Sequence, residues 1–156
     1  MSSIPGVDYT QRWWDDVDEG EALVRIEDVI TYRRVVMNAA TTWDYFPGHH
    51  DPAYARSQGQ PTIYINTMHF QGFIDRVATT WAGPLAFVVR RRMAMRRPIF
   101  AGDTMVGEGR VTRRWVDDAS GAPRHLVELA IAVTNQHGVL CSPATVTLEL
   151  PVRGVS

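Results

Sequence analysis

An acid and an imidazole lie five residues apart on one short segment of this chain, where Asp44 precedes His49. Pro47 fixes its own φ and disfavours the helical conformation at the residue before it, while Gly48 permits a sharp bend. The segment is therefore predicted to be a stiff loop that aims both side chains at one point. A carboxylate and an imidazole held in this way can position a water molecule and move its protons. From the spacing alone, the alternative is a loop in which the aspartate caps a turn and the histidine is solvated.

Residues 44–49 read Asp-Tyr-Phe-Pro-Gly-His and resemble the Asp-x-Asn-Pro-x-His signature of the MaoC-like R-specific enoyl-CoA hydratases and dehydratases, which have the hot-dog fold. Residues 14–21 resemble the start of that family's first strand, and residues 50–59 resemble the stretch that leads to its central helix. Residues 98–104 are similar to its Gly-Asp strand start, so the likeness extends over roughly residues 14–150. It includes a particular likeness to the small catalytic subunits of actinobacterial steroid side-chain enoyl-CoA hydratases.

This resemblance implies an enzyme that adds water across the α,β double bond of an acyl-CoA, with a steroid side-chain or a fatty acyl group. Asp44 and His49 are its expected catalytic pair, and no cofactor is expected because coenzyme A is part of the substrate. By family position, a backbone N–H of Thr67 or Met68 polarises the thioester carbonyl at the start of the central helix. The resemblance also implies a unit of two hot-dog chains, either a homodimer or a heteromer with an unlike second subunit.

The sequence departs from the family pattern at two places. Phe46 stands where the family has an asparagine that could brace the loop, and Asn66-Thr67 stands where the central helix usually begins with His-Gly. Phe46 and Asn66 are candidate substrate-binding residues, and Tyr64 and Phe70 are apolar candidates for lining the acyl pocket. For apolar residues at helical spacing, core packing is the common alternative.

Arginines crowd residues 90–97, which look like a nucleic-acid patch until strand alternation is applied. Alternation places Arg90 and Arg92 on one face and Met93 on the other, so the run is predicted to be an amphipathic strand. These two arginines are candidates for pairing with the phosphates of coenzyme A, because guanidinium groups suit phosphate geometry. A solvated face is the alternative.

Composition predicts a single domain over residues 1–156, since 156 residues with 45% hydrophobic content can form one sizeable core. With 16 basic and 17 acidic residues, the net charge of −1 does not favour nucleic acid or an anionic membrane as a partner. Cys141 is the single cysteine, and the first ten residues lack the pattern of a signal peptide, so a cytoplasmic protein is expected. No metal site is predicted, because the adjacent His49 and His50 are poorly placed to converge on one ion.

The elements that must position the acid and the imidazole are predicted from periodicity and caps. A strand is expected over 21–29, and a short helix over 52–58 with Asp51 as its N-cap. Between them, Thr31 is predicted to cap a helix whose apolar face is Val35, Val36, Ala39 and Trp43.

A long apolar helix over 66–81 is the central prediction. Large apolar residues recur along it at spacings of four, three and four residues, which puts them in one stripe on a single helix face. They are Phe70, Ile74, Val77 and Trp81. Four strands are predicted after it, over 85–95, 103–116, 125–136 and 139–150. The pattern favours an α+β fold in which an antiparallel sheet wraps the helix, and the resemblance identifies this as a single hot-dog domain.

Two other functions stay open at this point. A hot-dog thioesterase would place its catalytic acid near the central helix, where Asp75 is the candidate. A non-catalytic subunit would instead bind and shape an acyl chain for a partner enzyme. Both titratable groups, Asp44 and His49, are present, which favours the hydratase.

Overall fold

Local sequence signals account for the elements of a computed structural model that describes residues 10–119 and 121–154. In chain order the elements are β1 (Ile26–Val29), α1 (Tyr32–Thr41), α2 (Pro52–Ser57), α3 (Thr67–Ala82), β2 (Phe87–Met93), β3 (Thr104–Asp117), β4 (Arg124–Asn135) and β5 (Leu140–Glu149). Thr31 caps α1 by accepting from the N–H of Arg34, and the Asp51 carboxylate caps α2 with Pro52 at the first helical position. Both caps are those the sequence predicts.

The five strands form one antiparallel sheet in the order β1-β3-β4-β5-β2. Long strands β3, β4 and β5 make its centre, and β1 and β2 are its two edges. The sheet curls around α3, which confirms the predicted α+β hot-dog fold. Strand β1 is shorter than the predicted 21–29 because only Ile26–Val29 pair continuously with β3. Before it, Ala22 makes an isolated bridge to Arg110.

Helix α3 is the centre of the core, and its predicted apolar stripe is fully buried or nearly so. Phe70, Ile74 and Val77 are 0% exposed and Trp81 is 4% exposed. The helix approaches β3 very closely at Gly107, where an added Cβ would lie 2.4 Å from Cγ2 of Val77. A larger side chain at this position would force Val77 and Phe73 to move, so close packing of helix and sheet favours glycine here.

The apolar face predicted for α1 is correct for two of its four residues and wrong for the other two. Val35 and Ala39 are buried at 1% and 3% exposure, but Val36 is 36% exposed and Trp43 is 79% exposed. The helix ends at Thr41, so Trp43 no longer follows helical periodicity. Its φ of 57° lies in the left-handed region and turns the chain away from the helix axis. The indole ring consequently faces outward.

Within the ranges 10–119 and 121–154, no helix has both the length and the hydropathy needed to cross a bilayer. Those same ranges contain no group of three His, Cys, Asp or Glu side chains placed to hold a metal ion.

Candidate active site

The aspartate of the loop is placed by the way α1 ends. Thr42 closes the helix, Trp43 takes the left-handed conformation, and the N–H of Asp44 then donates back to the carbonyl of Ala39 at 3.0 Å. This backbone bond directs the chain out of the helix and fixes the start of the loop. The carboxylate of Asp44 stays 36% exposed, with Oδ1 3.4 Å from the N–H of Phe46.

The histidine is placed by a 3₁₀ turn over Pro47–His49. Gly48 is buried there, and an added Cβ would lie 2.6 Å from the Phe46 ring and 2.7 Å from the Tyr64 hydroxyl oxygen. Only glycine lets the turn pack this tightly against Tyr64, whose N–H donates to the Gly48 carbonyl at 3.2 Å. The turn therefore carries His49 inward, where the residue is 7% exposed.

The two predicted catalytic side chains meet in the structure. Nε2 of His49 lies 3.4 Å from Oδ2 of Asp44, and Nδ1 of His49 lies 2.8 Å from the carbonyl oxygen of Tyr64. Because a carbonyl only accepts, Nδ1 carries a proton and donates it to that bond. In the neutral imidazole, Nε2 then presents its lone pair toward the carboxylate. A water to one side of the pair can reach both atoms at hydrogen-bond distance.

Aromatic rings enclose the imidazole on two sides. Phe46 and Tyr64 make edge contacts with it, with ring centroids 5.5 Å and 5.2 Å from that of His49. Phe46 also contacts Tyr54, and Tyr64 contacts Phe100. Burial raises the pKa of the Tyr64 phenol above its usual value, so the ring is neutral at physiological pH. These contacts fix the plane of the imidazole and give it apolar walls.

Helix α3 begins beside this loop and presents unused donors. The N–H groups of Thr67 and Met68 have no hydrogen-bond partner within the described ranges, as expected for a first helical turn. Both residues are exposed. Met68 lines a cavity of about 220 Å³ together with His69 and Phe73, and that cavity is lined by neither Asp44 nor His49. The predicted carbonyl-binding amides are therefore unpaired donors on two exposed residues.

Two predicted substrate-binding residues are buried and make their contacts within the chain. Asn66 is 2% exposed, and its side-chain oxygen and nitrogen both bond to protein groups. Phe70 is 0% exposed and packs in the core beside Ile74, so core packing is its role in this structure. Tyr64 and Phe46, by contrast, stay in contact with the imidazole.

The two arginines assigned to coenzyme A lie away from this site. Arg90 and Arg92 are exposed and pair in register with Thr147 and Thr145, whereas Arg91 between them faces α3 and forms an ion pair with Asp75. Strand alternation therefore puts Arg90 and Arg92 on the sheet face opposite α3. Within one chain, the structure does not bring them together with Asp44 and His49.

Asp75 is held as a structural residue. Its Oδ2 pairs with Arg91, and its Oδ1 is buried with no partner in the described part of the chain. It lies eight residues into α3, about 12 Å along the axis from Thr67 at 1.5 Å per residue. A carboxylate engaged in this way is poorly suited to act as the free base of a thioesterase.

Sequence reasoning missed three contributors to the site. Asn38 and Thr42 bond to Asn66, and the Tyr64 carbonyl orients His49. Backbone acceptors leave no signal in a sequence. Asn38 does leave a weak one, because asparagine is disfavoured inside a helix and its presence there is a reason to look for a side-chain contact.

The curled antiparallel sheet around α3 places the chain in the hot-dog class, and comparison with known proteins places it more closely. No family model matches it. It is 31% identical over 119 residues to the beta subunit of 3-oxo-4,17-pregnadiene-20-carboxyl-CoA hydratase from Mycobacterium tuberculosis, an alignment that covers 76% of this chain and 84% of that subunit. The chain therefore belongs to the MaoC-like hot-dog hydratase family.

Solved structures agree with this assignment. A chain of the ChsH1–ChsH2 complex from Mycobacterium tuberculosis superposes with a TM-score of 0.75 and 28% identity over 85% of this chain and 98% of that chain. The R-hydratase PhaJ1 from Pseudomonas aeruginosa superposes with a TM-score of 0.78 over 90% of this chain and 86% of that one. At 23% identity, this second likeness bears on the fold alone.

Proposed function

We propose that this chain is a catalytic subunit of an R-specific enoyl-CoA hydratase, which adds water to an α,β-unsaturated acyl-CoA and removes it in reverse. One observation carries the proposal: Nε2 of His49 and Oδ2 of Asp44 lie 3.4 Å apart, and the imidazole is oriented by its Nδ1–H bond to Tyr64. An acid and a base close enough to bond the same water molecule are what a hydratase needs.

The proton balance of hydration follows from this geometry. As the water oxygen bonds to the β-carbon, one proton passes from the water to the basic member of the pair. The π electrons move toward the thioester, and the α-carbon then takes a proton from the acidic member. One member of the pair therefore starts protonated and the other unprotonated, and proton exchange between Asp44 and His49 restores the starting state.

Negative charge develops on the thioester oxygen during this step. The free N–H groups of Thr67 and Met68, at the positive end of the α3 dipole, can donate hydrogen bonds to that oxygen. Because these amides are fixed by the helix, they need little reorganisation as the charge appears. The Phe46 and Tyr64 rings provide apolar surface for the acyl group near the reacting carbon.

The substrate is proposed to be a bulky acyl-CoA of the steroid side-chain type, with a fatty acyl-CoA as the alternative. Support comes from the relative at 31% identity, whose name gives a pregnadiene-carboxyl-CoA as its substrate. That relative is also a beta subunit, and a second matched chain belongs to a two-protein complex. We therefore propose that the working unit pairs this chain with a second hot-dog subunit.

Exposure of the loop supports a site completed by a partner. Trp43, Tyr45 and Phe46 are 79%, 63% and 43% exposed, and the Asp44 carboxylate is 36% exposed. The aromatic neighbours of Asp44 therefore do not shield it from water within one chain. A catalytic pair that handles one bound water needs bulk solvent excluded, which the substrate and a second chain would supply.

The test is a hydratase assay on an enoyl-CoA, following the loss of ultraviolet absorbance of the conjugated thioester. The chain is assayed alone and with the subunit that co-purifies from the native host. Asp44→Asn and His49→Gln should each lower kcat by about 10²–10⁴-fold, because each removes one proton-transfer group. His137→Gln, in an exposed turn, is the matched control and should keep wild-type activity.

The other functions appear as distinct outcomes. Release of free coenzyme A without loss of the double bond would identify a thioesterase. Hydration that requires the partner but is unchanged in both variants would make this chain a non-catalytic, acyl-binding subunit.

A further inference from the structure

A closed ring of side-chain hydrogen bonds joins the end of α1 to the start of α3. The Nδ2 of Asn38 donates to Oδ1 of Asn66 at 2.6 Å, and Nδ2 of Asn66 donates to Oγ1 of Thr42 at 2.8 Å. The Thr42 hydroxyl then donates to the backbone carbonyl of Asn38 at 2.7 Å, which closes the ring. We call these three residues the amide clamp.

The clamp lies between the two halves of the site. Along the chain, Thr42 is two residues before Asp44, and Asn66 directly precedes Thr67. One side of the clamp therefore holds the loop that carries the carboxylate, and the other side holds the helix end that carries the free amides. Within the described residues, the side chain of Asn66 bonds both to Thr42 before the loop and to the first turn of α3.

Capping alone does not explain the residue. As N-cap of α3, Asn66 needs only its Oδ1, which accepts from the N–H of His69 at 3.0 Å. Serine, threonine or aspartate would cap equally well. The bond to Thr42 also needs a donor. Ionised aspartate has none, and serine or threonine would have to cap and donate through one hydroxyl oxygen, whereas Asn66 caps with Oδ1 and donates with the separate Nδ2. At 2% exposure this donor would otherwise be buried without a partner, at a cost in stability.

We propose that Asn66, with Asn38 and Thr42, is a positioning residue that sets the distance between the Asp44 carboxylate and the amides of Thr67 and Met68. The proposal rests on the proposed function, because that distance matters only if the carboxylate and the amides act on one substrate. The acyl-CoA must present its β-carbon to the water and its carbonyl to the amides at once. A displacement of about 1 Å between such groups can cost about 10²-fold in rate.

Three variants distinguish the Asn66–Thr42 bond from the capping of α3 by Asn66 and from a general loss of folding. Thr42→Val removes the hydroxyl at nearly constant volume, and Asn66→Asp keeps the cap but removes the Nδ2 donor. Thr42→Ser keeps the hydroxyl and serves as the matched control. Thr42→Val and Asn66→Asp should lower kcat by about 10–100-fold with KM changed by less than about threefold, whereas Thr42→Ser should stay within about threefold of wild type.

Combining the two disruptive changes gives a further test. Both changes open the same ring, because in Asn66→Asp the Thr42 hydroxyl can bond the new carboxylate only by leaving the Asn38 carbonyl. The Thr42→Val/Asn66→Asp double variant should therefore lose no more than about threefold beyond the worse single variant. Independent structural damage would instead multiply the two losses.

Amide hydrogen exchange provides a readout that needs no activity. The N–H of Asp44 is bonded to Ala39, and its exchange should become at least about tenfold faster in Thr42→Val and Asn66→Asp but not in Thr42→Ser. The amide of Leu129, in the buried centre of β4, should exchange at the wild-type rate in all three if the fold is intact.

Wild-type kcat and wild-type Asp44 exchange in both disruptive variants would overturn the clamp and leave the hydratase proposal standing. If the wild-type protein shows no hydration with or without its partner, the proposed function fails. The exchange rates at Asp44 then still establish whether the clamp holds the loop.

Discussion

Helix α3 and the loop of residues 43–49 meet at one site but are held by different forces. The helix turns its apolar stripe into the core, where Ile74 and its neighbours on the stripe are almost completely buried. The loop exposes most of its aromatic rings, and its position is set by hydrogen bonds from Asp44 to Ala39, His49 to Tyr64 and Asn66 to Thr42.

This difference separates stability from chemistry in the molecule. Burial of apolar area is non-directional and scales with the surface removed from water, so it holds α3 without specifying angles. Hydrogen bonds are directional, and they are what can aim a carboxylate and an imidazole at one point. Substitutions in the helix should therefore change the free energy of unfolding, and those in the loop should change activity more than stability.

The largest expected effect on stability is in the helix. Ile74→Ala should lower the free energy of unfolding by about 2–5 kcal/mol, because it leaves a cavity in a fully buried site. Thr80→Ala, at an exposed position of the same helix, is the control and should change it by less than about 0.5 kcal/mol. Urea denaturation measures both, and similar values for the two would contradict the assignment of α3 as the core.

Two glycines sharpen the same contrast. Gly107→Ala should lower the free energy of unfolding by about 1–3 kcal/mol, because its Cβ would overlap Val77. Gly72→Ala, in an exposed turn of α3 with no atom within 4 Å of its added Cβ, should raise it by about 0.5–1 kcal/mol. Thermal unfolding should show a lower Tm for Gly107→Ala and a higher Tm for Gly72→Ala. This result is expected if α3 and β3 contact each other at Gly107, as in the structure.

In the loop, replacing the strained residue Trp43 by glycine should stabilise the protein, unlike the substitutions in the core. Trp43 has φ 57° and a 79% exposed ring, so Trp43→Gly removes backbone strain and loses little burial. Its free energy of unfolding should rise by about 0.5–1 kcal/mol after the entropy of the glycine is allowed for. Trp43→Ala keeps the strain and should show no gain, and a gain in Trp43→Ala equal to that in Trp43→Gly would mean that the ring, not the backbone, causes the effect.

The smallest effect is a pH dependence that arises beside the N-terminus of α3. Burial lowers the pKa of His69 below its usual 6.5, and the nearby Arg34 lowers it further. Below about pH 6.5 the unfolded chain therefore takes up a proton that the folded chain resists, so stability falls as the pH drops through this window. His69→Leu should flatten the curve of unfolding free energy against pH between 7 and 5. His137→Gln removes an exposed imidazole and should not flatten it.

Much of the fold could be predicted because its signals are local. The caps at Thr31 and Asp51, the apolar stripe of α3 and the four later strands all follow from periodicity or from one side chain next to its own backbone. The prediction was wrong for Trp43, because an ending helix changes the direction of every residue after it.

The sequence by itself determined which residues form the core helix, where the strands run, and that an acid and an imidazole share one bent loop. These properties depend on side-chain periodicity and on the restricted backbone of proline. The tertiary structure alone decided that Nε2 of His49 faces Asp44, that Asn66 joins two helix ends, and that Asp75 is paired with Arg91. Each of those contacts joins side chains or carbonyls whose directions are set only when distant segments pack, so no local pattern encodes them.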